Sequence, residues 1–234
     1  MNIKKRFSNI NKNSGMTYIE IIVVLSIFAV LTSVVMFNYG KFQGKVDIKN
    51  LGSDIALKIV EAQKASFSGK LPPPVQYNLL DAAQQYAWKP SYGVYFNSSS
   101  SPDASDGNIP FNRKFLYFTD VISPDFTGGV PYTGIYTGAT NCTQECLERI
   151  QITKGNYISH IGRVYGPSNN IMADLTNLTA TFSRTNFGVV LSSNGVPLAS
   201  DTGYARITIS SPRGATSYIR LYPSGRVDTT NNSF

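Results

Sequence analysis

The chain has 234 residues, 42% of them hydrophobic and 12% aromatic, which suffices for one sizeable packed domain plus an appendage and excludes an intrinsically disordered chain. Of its formal charge of +7, residues 1–15 supply +4 through Lys4, Lys5, Arg6 and Lys12 with no acid, leaving 17 basic against 14 acidic groups, only +3, elsewhere. With one histidine, His160, and two cysteines, the chain hardly holds the three or four Cys/His ligands of a zinc site, and nothing in it asks for a cytosolic enzyme.

Residues 16–37 form an apolar run whose one charged side chain is Glu20. As a helix rising about 1.5 Å per residue, this run covers roughly the 30 Å hydrocarbon layer of a bilayer. The basic cluster ahead of it sets the N-terminus on the cytoplasmic side and the remainder outside. A secretory signal has a shorter apolar core followed by a small-x-small cleavage site, whereas here the helical pattern continues. Ile48, Leu51, Ile55, Ile59 and Ala62 recur at spacings of three and four, laying one apolar stripe along a helix that reaches about Ser68. Gly69 and the Leu-Pro-Pro-Pro run stop it. The predicted element is a single helix of about fifty residues, hydrophobic over 16–37 and amphipathic over 38–69. At the junction, Gly40 and Gly44 each cost about 1 kcal/mol relative to Ala, so the helix either bends or unwinds there or simply tolerates two glycines near a membrane interface.

Glu20 is the anomaly of this helix. A carboxylate in hydrocarbon costs on the order of several kcal/mol unless paired. It therefore either snorkels to the interface near the helix end or is kept for a partner supplied from elsewhere.

Beyond Gly69 the period changes from 3.6 to 2. Alternating runs at 92–96 (YGVYF), 115–121 (FLYFTDV), 149–153 (RIQIT), 157–164, 187–191, 204–210 (YARITIS) and 217–222 (SYIRLY) predict strands. The Ser-Pro-Arg-Gly-Ala break between the last two predicts a hairpin. In it, Ile207, Ile209, Ile219 and Leu221 share a buried face while Arg206, Thr208 and Arg220 face outward. The predicted fold class is α+β: a long N-terminal helix packed on an antiparallel β-sheet domain spanning 70–234, the sheet burying the stripe from Ile48 to Ala62.

Residues 98–108 read as a solvated turn, in which Asp103, Asp106 and Asn108 offer oxygens to calcium without matching the spacing of a helix-loop-helix calcium site. Residues 127–140 lack periodicity and predict an exposed loop. Cys142 and Cys146 bracket Thr-Gln-Glu: oxidised, they close a very small ring that staples one turn, and in a reducing setting they are free thiols. His160 sits in an alternating run with no nucleophile in a recognisable context, and reads as a surface or packing residue.

The basic leader, Gly15, Met16, Glu20 at the fifth position after the glycine, the apolar stretch and the long helix together resemble the type III signal and N-terminal helix of type IV pilins and pseudopilins. The resemblance covers about a quarter of the chain. It implies that a membrane-embedded prepilin peptidase cuts between Gly15 and Met16, removes the leader 1–15 and N-methylates Met16, leaving 219 residues. It also implies assembly through the helix, with the Met16 ammonium of one subunit packed against Glu20 of a neighbour. Such a protein is a non-enzymatic filament subunit, major or minor, without a cofactor. Its partners would be the peptidase, other pilin or pseudopilin subunits, an inner-membrane assembly platform and, before assembly, membrane lipid. It would cross the inner membrane once, with the C-terminal domain outside, and then join an extracellular or periplasmic filament. The helix phrase at 51–63, the strand YGVYF and the closing Ser224-Gly225-Arg226-Val227 are most similar to the GspH/FimT-like branch of minor pseudopilins.

Two departures from that family matter. A helix-kinking proline is replaced by Phe37, and the second arginine of a C-terminal Gly-Arg-x-Arg element tied to DNA uptake is replaced by Asp228. Arg213, Arg220 and Arg226 thus read either as a local nucleic-acid patch or as a solvated strand face. A membrane-anchored binding or hydrolytic domain, using the helix only as a tether, is the alternative from another class.

Overall fold

The computed structural model describes residues 15–78, 80, 82, 85, 89, 91–121, 136, 145–165, 171–184 and 186–232. The leader charges, Cys142 and all of the 127–140 segment except Tyr136 lie outside these. The chain divides into two units between Lys41 and Phe42.

Helix α1 (Tyr18–Phe67) runs unbroken through both Gly40 and Gly44, so it is unwound at neither glycine. In its apolar half, polar side chains satisfy themselves on the helix's own backbone. Ser26 Oγ donates to Ile22 O at 2.8 Å, Thr32 Oγ1 to Phe28 O at 2.9 Å and Asn38 Nδ2 to Val34 O at 3.2 Å. These are donors that hydrocarbon could not satisfy. At the other end the predicted stop is a Schellman turn. The Lys70 N–H donates to Ala65 O at 3.1 Å and the Gly69 N–H to Ser66 O at 3.3 Å, with Gly69 left-handed at φ 71°. Pro74, whose missing N–H is an orphan donor anyway, then opens the short α2 (Pro74–Tyr77).

The strands in chain order are β1 (Ser91–Asn97), β2 (Pro102–Asp103), β3 (Ile109–Pro110), β4 (Lys114–Thr119), β5 (Cys146–Gln151), β6 (Tyr157–Tyr165) and β7 (Ile171–Leu175). They continue with β8 (Asn177–Ser183), β9 (Asn186–Ser193), β10 (Val196–Pro197), β11 (Thr202–Ser210), β12 (Thr216–Leu221) and β13 (Val227–Asn232). The α+β class is as predicted, but the single expected sheet is two antiparallel ones, ordered β10-β9-β8-β1-β4-β5 and β13-β12-β11-β6-β7, plus the β2-β3 ribbon. All seven predicted runs overlap strands, while β7, β8, β13 and the two-residue strands β2, β3 and β10 carried no such signal.

The β11–β12 hairpin has the predicted register. Ile207 stands opposite Ile219, Arg206 opposite Arg220 and Ala205 opposite Leu221. Ile207, Ile209, Ile219 and Leu221 are fully buried, and Arg206, Thr208 and Arg220 lie half-buried on the other face.

Within the second unit, α1 buries Gly44, Ile48, Gly52, Ile55, Ile59, Ala62 and Ser66 at spacings of three and four, with Leu51 at the margin. The earlier turns of this stripe meet the five-stranded sheet: a Cβ built on Gly52 would lie 3.2 Å from Ser217 Oγ and 3.7 Å from Ile209 Cδ1. The last turns meet the six-stranded sheet, where Ser66 Oγ donates to Phe182 O at 2.8 Å and accepts the Tyr92 N–H at 3.0 Å. The β12–β13 turn docks on the same seam. Gly225 has φ 85°, and a Cβ there would come 2.8 Å from Gln63 Nε2. The glycine of the Ser-Gly-Arg-Val motif is therefore required by its left-handed backbone, while the flexible Gln63 amide is the group that would have to give way.

Candidate functional site

Nothing lies within 4 Å of a Cβ built on Gly15, so packing does not demand a glycine there. Met16 is 63% exposed. Glu20 stands in the first turn of α1, its N–H donating to Thr17 O at 3.1 Å, and makes no ion pair among the described residues. Around it the helix is apolar on every side: its most apolar 18-residue window has a mean hydropathy of 2.6 and no residue buried. A soluble core helix would bury one face. This one is long and apolar enough to cross a membrane, as a membrane anchor or a signal sequence does. The helix dipole favours an acid in the first turn by about 0.3–1 kcal/mol, well short of the several kcal/mol that hydrocarbon imposes on a carboxylate. The dipole alone does not offset that cost.

The three arginines are not brought into one cluster. Arg213 sits in the β11–β12 turn, its Nη1 donating to Gln43 Oε1 at 3.4 Å. Arg220, towards the other end of β12, has its guanidinium 5.5 Å from the Tyr204 ring centre. Arg226 stacks 4.1 Å above Tyr222 and donates through Nη2 to Asp228 Oδ2 at 2.8 Å. Tyr204 and Tyr222 are themselves 5.3 Å apart, so Arg220 and Arg226 share one aromatic stack that excludes Arg213. Asp228, the acid in place of a second arginine, neutralises the first. Arg206, expected on the outward face but left out of the candidate patch, stands opposite Arg220 across the ladder and lies 5.3 Å from the Tyr218 ring centre.

The expected solvated turn at 98–108 holds except at two positions, Asp103 and Asp106, which are buried. Asp103 and Asp106 are 4% and 5% exposed, and Lys114, at 3%, reaches Asp103 Oδ2 at 2.5 Å and Asp106 Oδ2 at 2.7 Å. Arg149 pairs with Asp106 as well. Asp103 Oδ1 accepts the Ser105 N–H at 3.0 Å and its hydroxyl at 2.6 Å, while Asn108 turns the chain at φ 62°. Two cations thus match two carboxylates, and the Lys114 ammonium holds the point between them where calcium would sit. Among the described residues no group of three or more His, Cys, Asp or Glu is placed to hold a metal. Lys114 was the legible clue, a lysine opening the aromatic run FLYF that forms the wholly buried β4.

Tyr136 likewise departs from the predicted exposed loop. Its ring is buried 5.0 Å from that of Phe118 and 5.1 Å from that of Tyr95, and burial raises its pKa. His160 Nε2 lies 2.8 Å from Oδ1 of the exposed Asp174, a surface hydrogen bond between β6 and β7. Cys146 is buried and disulfide-bonded; the sequence has one other cysteine, Cys142, outside the described residues.

Comparison of the chain with protein-family models, with curated proteins and with solved structures finds no match.

Proposed function

We propose that the chain is a filament subunit of the type IV pilin or pseudopilin kind, of the GspH/FimT-like branch, cleaved after Gly15 and assembled through α1. The observation that carries this reading is the exposed apolar half-helix with one carboxylate, Glu20, four residues after Met16 and behind a glycine that packing does not require. Such a surface needs lipid first and neighbouring helices later. Cleavage frees an ammonium at Met16, the one new cation at that depth. Set against a neighbour's Glu20, it offsets the desolvation of both charges and fixes the axial register of adjacent subunits. The subunit performs no chemistry of its own; its helices bundle and its β domain faces solvent.

Intact-mass measurement and N-terminal sequencing of the full chain purified from membranes test this. A polypeptide that begins at methylated Met16 supports it. One that keeps Met1 returns the helix to the role of a plain anchor.

A further inference from the structure

A second site lies in the unit that holds the β domain. The β5–β6 turn (Thr153–Asn156) carries two consecutive left-handed residues, Lys154 at φ 58° and Gly155 at φ 74°, closed by the Asn156 N–H to Thr153 O bond at 3.2 Å. The β11–β12 turn packs against it: a Cβ on Gly155 would come 2.9 Å from Pro212 Cγ. Both turns face α1, where a Cβ on Gly44 would lie 3.2 Å from Arg213 Cβ. Between the three elements is a cleft of about 430 Å³ lined by Gly44, Asp47, Lys154, Asn156, Ser211 and Arg213, among others. Lys154 Nζ holds Asp47 Oδ1 at 2.6 Å, which leaves the ammonium two further donors.

Charge is concentrated here. Lys154 and Arg213 line the cleft with one acid, Asp47, and Lys45 and Lys49 are exposed on the adjoining turns of α1, which sums to +3. That equals the whole excess of the chain beyond residue 15, so the remainder of the chain after that point is neutral in sum. Gly44 lies seven positions after Phe37, the last residue of the apolar run. As helix this stretch spans about 10 Å, comparable with the Debye length, and even fully extended no more than roughly 25 Å.

We infer that this cleft binds the phosphate of anionic lipid headgroups and seats the β domain on the bilayer surface before assembly. The inference rests on the membrane-spanning reading of α1 proposed above. Clustered Lys and Arg within a Debye length of an anionic surface each contribute attraction, and the cleft adds a place where one phosphodiester meets Lys154 and Arg213 together.

The test uses the full chain in nanodiscs of phosphatidylcholine with and without phosphatidylglycerol, read by hydrogen exchange at 153–157 and 211–215. Exchange at both turns slows about fivefold or more in anionic discs, the worth of one basic contact. Lys154→Gln with Arg213→Gln abolishes the slowing while β11 and β12 exchange as before, showing the fold intact. Equal exchange in both discs overturns the inference, as does slowing that survives the double substitution. Inorganic phosphate reproducing the effect in neutral discs assigns the site to a soluble anion and overturns the lipid source. Slowing that follows subunit density instead of lipid charge marks a contact between copies and overturns it too. A chain that elutes apart from the discs overturns the membrane reading itself, a failure distinguishable from the others.

Discussion

The Ser66 hydroxyl accepts the Tyr92 amide proton at 3.0 Å, so the last turn of α1 is hydrogen-bonded to the central strand β1. Its own proton lies between Phe182 O at 2.8 Å and Ala62 O at 3.0 Å. Ser66→Ala leaves a buried N–H and a buried carbonyl short of a partner. The expected cost is about 1–3 kcal/mol, read as a lower denaturant midpoint at unchanged slope.

Gly225 makes a separable prediction. Gly225→Ala adds left-handed strain of about 1–2 kcal/mol and a 2.8 Å contact with Gln63 Nε2. Adding Gln63→Ala removes the contact and not the strain. The double variant is thus expected to recover part of the lost stability, and full recovery would show that the backbone geometry is not left-handed.

Lys114→Ala removes the cation that the buried Asp103 and Asp106 share, leaving Arg149 paired with Asp106. Breaking such a pair is expected to cost about 3–5 kcal/mol. Because the ammonium already sits between the carboxylates, calcium or a chelator should leave the wild-type Tm unmoved. A rise with calcium would show that the ion displaces Lys114.

Alkaline pH should weaken the second unit. Burial pushes the Tyr92 phenol up from 10.0 to about 12, only partly opposed by a hydrogen bond with Thr119, and its Oη donates to Lys70 O at 2.9 Å. Burial also raises Tyr117. Lys58 is raised as well: burial works against its charge, but hydrogen bonds and charges of Glu148 and Glu61, each 2.8 Å away, outweigh it. All these groups hold their protons more tightly when folded. Their stabilisation is therefore complete below pH 10 and lost as pH rises through the raised values of the folded state, about 12 for Tyr92. Thermal melts across that window should fall, and Tyr92→Phe should flatten part of the fall.

Glu20→Leu removes the carboxylate and leaves the apolar surface intact. The expectation is a chain that still inserts and is still cleaved but yields no filaments by electron microscopy, with Glu20→Asp retaining some. Filaments of normal length from Glu20→Leu would sink the assembly role.

Local chemistry was readable. Gly69 ends α1 because its left-handed turn is a sequence-local event, and the β11–β12 register follows from alternating isoleucines around one turn. What escaped depends on distant partners. The β8 segment NLTATFS looks polar, yet Thr179 and Thr181 are buried because β1 and β9 flank them. Likewise β13, VDTTNN, is a sheet edge whose pairing comes wholly from β12. The second sheet was invisible because β1 recruits β4 and β8 across long stretches of chain. Asp103 and Asp106 resemble turn residues until Lys114 and Arg149 arrive from β4 and β5. At the candidate site, by contrast, Gly15, Met16 and Glu20 lie within six residues, so the pattern is carried by contiguous sequence.

The fastening of α1 at several levels has a mechanical consequence. Gly44 against Arg213, Gly52 against Ser217, Gln63 against Gly225 and Ser66 between two strands are spread over about 33 Å of helix, since each residue advances 1.5 Å. A pull along the helix axis loads all of them in shear at once, so they must yield together. A sideways force would peel them apart one after another, and the domain should resist the first far better than the second.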